Sequence, residues 1–209
     1  SLVHTQVINA SLFNTAIPAI IILLCFLFQI EKTNKYQITG LIISILGILS
    51  IITKLNLEII FSLNFNKGDL IMIGGVISWG LYSAFLKRKK FDLPLLTLVH
   101  VLCTFGLIFI FPQFLYEFAQ GQKIEFNTNL LYILLFLALF PSIGSYYCWA
   151  GAVSIIGANR AGIFLSLIPL FSTLMAIFFY NEKFQFFHLI GAILIILGLF
   201  LSNKEVKNA

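Results

Sequence analysis

The chain has 209 residues, is 60% hydrophobic and only 10% charged, and has a mean hydropathy of +1.01. A soluble domain carries about 25% charged residues, so this chain lacks the polar groups to cover a water-facing surface, and lipid is its solvent. Its net charge of +5 comes without a basic, aromatic-interleaved face outside the apolar runs, which removes nucleic acid as a partner and leaves the lysines as loop charges that hold membrane orientation.

About seven apolar runs are long enough to cross a bilayer: 7–29, 37–53, 69–86, 94–116, 129–150, 158–180 and 186–202. A span needs about 17–25 residues, and lipid demands an internally satisfied backbone, so each run is expected to be a helix. The first run has Pro18 at its middle and ends in the tight turn Glu31–Tyr36. The second aligns Gly40, Ser44 and Gly47 on one face, where small residues let helices approach closely. Thr53–Gly68 is the longest connection, and its Leu57, Ile59, Ile60 and Phe61 read as an interfacial patch or a short strand. The third run carries Trp79 and Tyr82 three residues apart on one helical face. After the basic turn Lys87–Asp92, the fourth run holds His100; after the polar loop Gln120–Asn127, the fifth ends in Tyr146, Tyr147 and Trp149. The sixth has Pro169 at its middle, Asn181–Gln185 is a turn, and the last carries Gly191 and Gly198. Cys25, Cys103 and Cys148 sit in three different runs without metal spacing and read as packing residues. No metal or organic cofactor is implied. The chain begins at Ser1 with no basic leader, so the expectation is a fragment whose start is missing.

Two stretches are the same sequence written twice. Asn9–Ser50 aligns with Arg160–Leu201 without a gap at an offset of 169 − 18 = 151 residues. Pro18 falls on Pro169, Glu31-Lys32 on Glu182-Lys183, Gly40 on Gly191 and Leu46-Gly47 on Leu197-Gly198. Paired interrupted hydrophobic segments at matching places in two halves point to a secondary transporter.

Counting basic residues by side gives the orientation. Lys32, Lys35, Lys87, Arg88, Lys89, Lys90, Arg160, Lys204 and Lys207 share one side; Lys54, Lys67, Lys123 and Lys183 share the other. The richer side is cytoplasmic, which puts the C-terminus inside. The first proline helix then runs outside to inside and its copy inside to outside. The repeats are inverted, with five helices per unit and ten in the parent.

Gly68-Asp69-Leu70 followed by Ser78-Trp79-Gly80-Leu81-Tyr82-Ser83 resembles the opening helix of an EamA-type repeat of the drug/metabolite transporter superfamily. So does each proline helix followed by Glu-Lys and a helix with two glycines seven apart. The resemblance implies ten helices, cytoplasmic termini and movement of a small metabolite. It also implies that the glycine-bearing helices pack outside a central cavity. The fold class is therefore an all-α integral membrane protein, the remnant of a five-plus-five inverted-repeat transporter. Residues 1–53 are the last two helices of a first repeat, 54–67 a linker, 68–203 a complete second repeat and 204–209 a cytoplasmic tail.

Each candidate site residue has a plain reading beside the functional one. Pro18 and Pro169 free the carbonyls of Asn14 and Leu165; they are hinges of cavity-lining helices or static kinks. Glu31 and Glu182 are gates at the two mouths, or exposed charges beside Lys32 and Lys183. Asn14, Trp79, Tyr82, His100, Tyr147 and Ser166 are the polar or amphipathic groups within apolar runs, and a polar group at that depth must face protein or water. They are the expected substrate-binding set, the alternatives being an interfacial aromatic belt and helix packing. No carboxylate lies deep in a span. An intramembrane enzyme would need convergent acid–base or metal groups, and His4, His100 and His188 are scattered, so no enzyme is expected. The expected partners are the lipid bilayer, a small amphipathic solute such as an amino acid and, at most, a second copy of the chain. The expected location is the cell (inner) membrane. A structural or lipid-handling protein without a solute cavity is the alternative.

Overall fold

A computed structural model describes residues 7–56, 58–61, 67–88, 93–121, 127–180 and 183–204, with side chains beginning at residue 11. Among these residues every regular element is a helix, with no strand. Five helices are long and apolar enough to cross a membrane: Lys35–Ile52, Lys67–Lys87, Leu95–Ala119, Thr128–Ile156 and Ala158–Tyr180. Two further apolar helices, Ile17–Leu27 and Phe186–Ser202, are shorter. The expected seven therefore divide into five and two. The first run is cut by a break at Ala16, and the last helix is 17 residues long. The Glu58–Phe61 patch forms one helical turn rather than a strand.

The chain divides into two compact units, Ser1–Arg88 with Ile156–Ala209, and Lys89–Ile155. The first holds α1 (Val7–Thr15), α2 (Ile17–Leu27), α3 (Lys35–Ile52), α4 (Glu58–Phe61), α5 (Lys67–Lys87), α9 (Ala158–Phe164), α10 (Leu167–Tyr180) and α11 (Phe186–Ser202). Its core is a cluster of Ile22, Leu41, Ile48, Ile163, Ile195 and Leu199, where α2, α3, α9 and α11 meet.

Each proline lies just after a break in its helix, Pro18 two residues after Ala16 and Pro169 three residues after Ser166. A proline supplies no N–H and crowds the carbonyl four residues back. Before Pro18 the Ala16 N–H turns to the Phe13 carbonyl, 3.0 Å away, and α2 restarts at Ile17. Thr15 Oγ1 donates to the carbonyls of Ser11 and Leu12 at 3.0 and 2.6 Å, which ties down the last turn of α1. Before Pro169 the N–H groups of Leu165 and Ser166 donate to Gly162 and Ile163, each three residues back. The Leu165 carbonyl, the one Pro169 crowds, accepts from Ile168 at 3.0 Å.

The helices α3 and α11 run antiparallel along a glycine seam. Gly40 lies against the Gly198 carbonyl, and Gly47 against that of Gly191. A Cβ on Gly47 would stand 2.8 Å from the Gly191 oxygen and 2.9 Å from the Ile195 nitrogen, so backbone packs on backbone. Both helices are capped. The Asn34 side chain accepts from the Gln37 N–H at 2.8 Å while Gln37 Oε1 accepts from the Asn34 N–H at 3.1 Å, a reciprocal capping box. At the start of α11, His188 Nδ1 accepts from the Gln185 N–H at 3.1 Å, and the ring is buried against Phe187.

The second unit holds α6 (Leu95–Ala119), α7 (Thr128–Leu137), a π-helical segment (Ala138–Gly144) and α8 (Ser145–Ile156, whose last residue falls in the first unit). Pro112 sits inside α6 and Pro141 inside the π-helical segment. Helix α6 stays α-helical through Pro112, while the wider register lies around Pro141, where proline's missing donor and steric clash act, and such π segments frequently mark functional sites. Most of this unit's side chains are exposed; Val99, Ala150 and Val153 are buried.

Candidate functional site

Four of the six expected substrate-binding residues lie in the first unit. Asn14 is exposed on α1, two residues before the Ala16 break. Trp79 and Tyr82 are half-buried on α5 with ring centroids 5.4 Å apart. Ser166 sits in the α9–α10 break, 1% exposed, and its Oγ has no hydrogen-bond partner among the described residues. A buried hydroxyl without a partner carries a desolvation cost. The other two lie in the second unit: His100 is exposed on α6, and Tyr147 is 42% exposed on α8. The structure thus brings Trp79 and Tyr82 together as one aromatic face. It sets Asn14 and Ser166 each beside its own helix break. Glu182 lies outside the described residues.

Glu31 is half-buried, and among the described residues its carboxylate is held by backbone N–H groups. Helix α2 ends in a Schellman turn: Ile30 N–H donates to the Cys25 carbonyl at 2.8 Å, Gln29 N–H to Phe26 at 3.1 Å, and Gln29 takes a φ of 52°. That turn folds the chain back and presents Glu31 to the start of α9. Its Oε1 accepts from the Ala158 N–H at 2.7 Å and its Oε2 from the Asn159 N–H at 3.0 Å. A helix start carries unpaired N–H groups and the positive end of the helix dipole, so the carboxylate meets both needs at once, with charge-assisted bonds.

Gly157 makes room for this. It is the N-cap of α9, with φ 88° and no side chain to cap with. A Cβ there would stand 2.7 Å from Glu31 Oε1 and 3.0 Å from Oε2. Asn159, 0% exposed, donates from Nδ2 to Thr33 Oγ1 at 3.4 Å, while its Oδ1 has no partner among the described residues. Sequence reasoning missed Gly157 and Asn159. The available signal was Gly157 immediately before the run that starts at Ala158, where no Ser, Thr, Asp or Asn stands at the cap position; such a helix start must borrow its cap from elsewhere. Among the described residues no three His, Cys, Asp or Glu side chains gather as a metal site.

The profile of the EamA-like transporter family matches residues 66–204. A Bacillus subtilis (strain 168) protein named uncharacterized transporter YyaM is 26% identical over 205 residues, covering 98% of this chain and 67% of that protein. An uncharacterized transporter of Archaeoglobus fulgidus is 30% identical over 206 residues, covering 98% of this chain and 70% of the relative. A second Bacillus subtilis relative, uncharacterized transporter YetK, is 24% identical over 209 residues, 98% of this chain and 62% of its own length. With the family profile over most of its length, and a composition that makes it a multi-pass membrane protein, the chain belongs to the EamA-like transporter family.

Proposed function

We propose that this protein carries a small amphipathic metabolite across the cell membrane by alternating access, as two inverted five-helix units rocking about a midplane site. The observation that carries the reading is the Glu31 contact. The end of the first proline helix binds the start of the second, the contact that two such helices packed side by side in opposite directions would make, which supports an inverted pair. The glycine seam supports it as well. Gly40 pairs with Gly198 and Gly47 with Gly191, and a shift of 191 − 40 = 151 residues exchanges one pair for the other. In this reading 1–53 ends the first unit, 68–203 is the second, and the C-terminus is cytoplasmic. Trp79 and Tyr82 supply a stacking face, Ser166 a hydrogen-bonding hydroxyl and Asn14 a further polar contact. Pro18 and Pro169 are the hinges. Amino acids suit such a site, being small and amphipathic.

The test is counterflow in proteoliposomes loaded with a mixture of amino acids, followed with the same mixture radiolabelled outside. Accumulation above the protein-free control is the expected result. A folded protein that gives no counterflow, yet scrambles fluorescent lipid between leaflets, would replace transport with a lipid-handling role.

A further inference from the structure

We propose that Glu31 is a latch between the two repeats, and that releasing it from the start of α9 is the step that opens the mouth at that end of the molecule. The inference rests on the alternating-access reading and adds to it a specific contact that must break.

The contact joins elements 127 and 128 residues apart in sequence. On one side stands the turn after α2, on the other the first turn of α9. Each belongs to a helix that is broken midway, at Ala16 and at Leu165–Ser166, so each end can move without unwinding the other half of its helix. The closed contact is favourable, with two charge-assisted bonds on a helix N-terminus. It also carries a defect, because Asn159 Oδ1 is fully buried and has no partner among the described residues. Opening to water exchanges the first for hydration of carboxylate and N–H groups, and it cures the second. Gains and losses of similar kind on both sides make a contact that can sit closed or open, which a transport gate needs. The basic residues beside it, Lys32, Lys35 and Arg160, put this mouth on the cytoplasmic side.

The experiment reads which side of the membrane reaches the centre. A reporter Asn14→Cys is placed in a background of Cys25→Ala, Cys103→Ser and Cys148→Ser, and labelled with a membrane-impermeant maleimide in intact cells and in inside-out vesicles. Breaking the latch with Glu31→Ala should raise cytoplasmic labelling about tenfold, the order expected for losing a charge-assisted hydrogen bond, and lower labelling from outside. Gly157→Ala, which drives a methyl into the carboxylate, should act the same way, and Glu31→Gln should fall between. A cap that only holds the fold together would speed labelling from both sides at once, or from neither; either pattern overturns the latch. If Glu31→Ala does not reach the membrane, Gly157→Ala and Glu31→Gln decide. The labelling needs no substrate. Lost counterflow with reciprocal labelling therefore sinks the transport reading alone, and normal counterflow without reciprocity sinks the latch alone.

Discussion

Replacing Gly40 by alanine tests the seam between α3 and α11 most directly. The new Cβ would stand 2.7 Å from the Ser202 nitrogen and 2.8 Å from its Cβ, and closer still to the Gly198 carbonyl. Ordinary contact begins near 3.4 Å, and most of the obstacle is backbone, so the helices must separate by about 1 Å to clear the Gly198 carbonyl, the nearest atom. A gap of that size forfeits about a quarter to a half of each dispersion contact along the seam, and overpacking of this kind costs about 1–3 kcal/mol. Alanine returns up to about 1 kcal/mol through its better helix propensity. Rigid backbone on the far side argues for the upper part of the cost, leaving a net loss of about 1–2 kcal/mol. For a chain of this size that lowers Tm by about 2–8 °C. Gly74→Ala is the matched control, since a Cβ there meets nothing within 4 Å; it should raise Tm. The double variant Gly40→Ala with Gly198→Ala should lose less than the sum, because the first methyl has already parted the helices. The assay is thermal unfolding of the detergent-purified protein, followed by size-exclusion fluorescence. A Gly40→Ala variant as stable as Gly74→Ala would refute the close-packed seam.

Three further outcomes are expected. A cysteine at Arg88 should be shielded from impermeant reagent in intact cells and one at Gln120 reachable; the reverse pattern would invert the assigned orientation. Pro18→Ala and Pro169→Ala should restore backbone bonds, leave a membrane-inserted protein and slow counterflow; unchanged rates would make the prolines static kinks. Ser166→Ala should not lower Tm, because the hydroxyl it removes is buried and makes no bond within the described protein, but it should weaken substrate binding severalfold. A fall of more than about 2 °C, roughly 1 kcal/mol, would assign Ser166 to packing instead.

The two proline breaks and the glycine faces were legible in the sequence because their causes are local; that the two glycine faces meet each other was not. A proline acts on the carbonyl four residues back, and glycines seven apart share a face wherever they occur. The role of Glu31 was not legible. A carboxylate after a helix, next to Lys32, has the signature of a solvated charge, and only the fold reveals that its partners are the N–H groups of Ala158 and Asn159. The π-helical segment was hidden for a related reason: Pro141 in an apolar run predicts a disturbance without fixing whether the register tightens or widens. Of the substrate-binding set, the pairing of Trp79 with Tyr82 followed from their spacing. The burial of Ser166 did not, since a serine between Leu165 and Leu167 can face lipid, protein or cavity equally well.

The seam has a consequence for shorter relatives of this architecture. On α11 alone, Gly191 and Gly198 provide both of the small positions that α3 provides as Gly47 and Gly40. At these two positions α11 offers what an upside-down copy of itself would need, while Ile195 stands where α3 has Ser44 against Gly198. A half-length polypeptide with a small residue at that place as well would carry an interface for a homodimer whose two subunits insert in opposite directions. In such a dimer each substitution at the glycine pair would strike twice, so a change that one linked chain tolerates in a single half would carry double the cost. Joining two halves in one chain frees each glycine to vary on its own, and lets the two ends of the molecule come to differ.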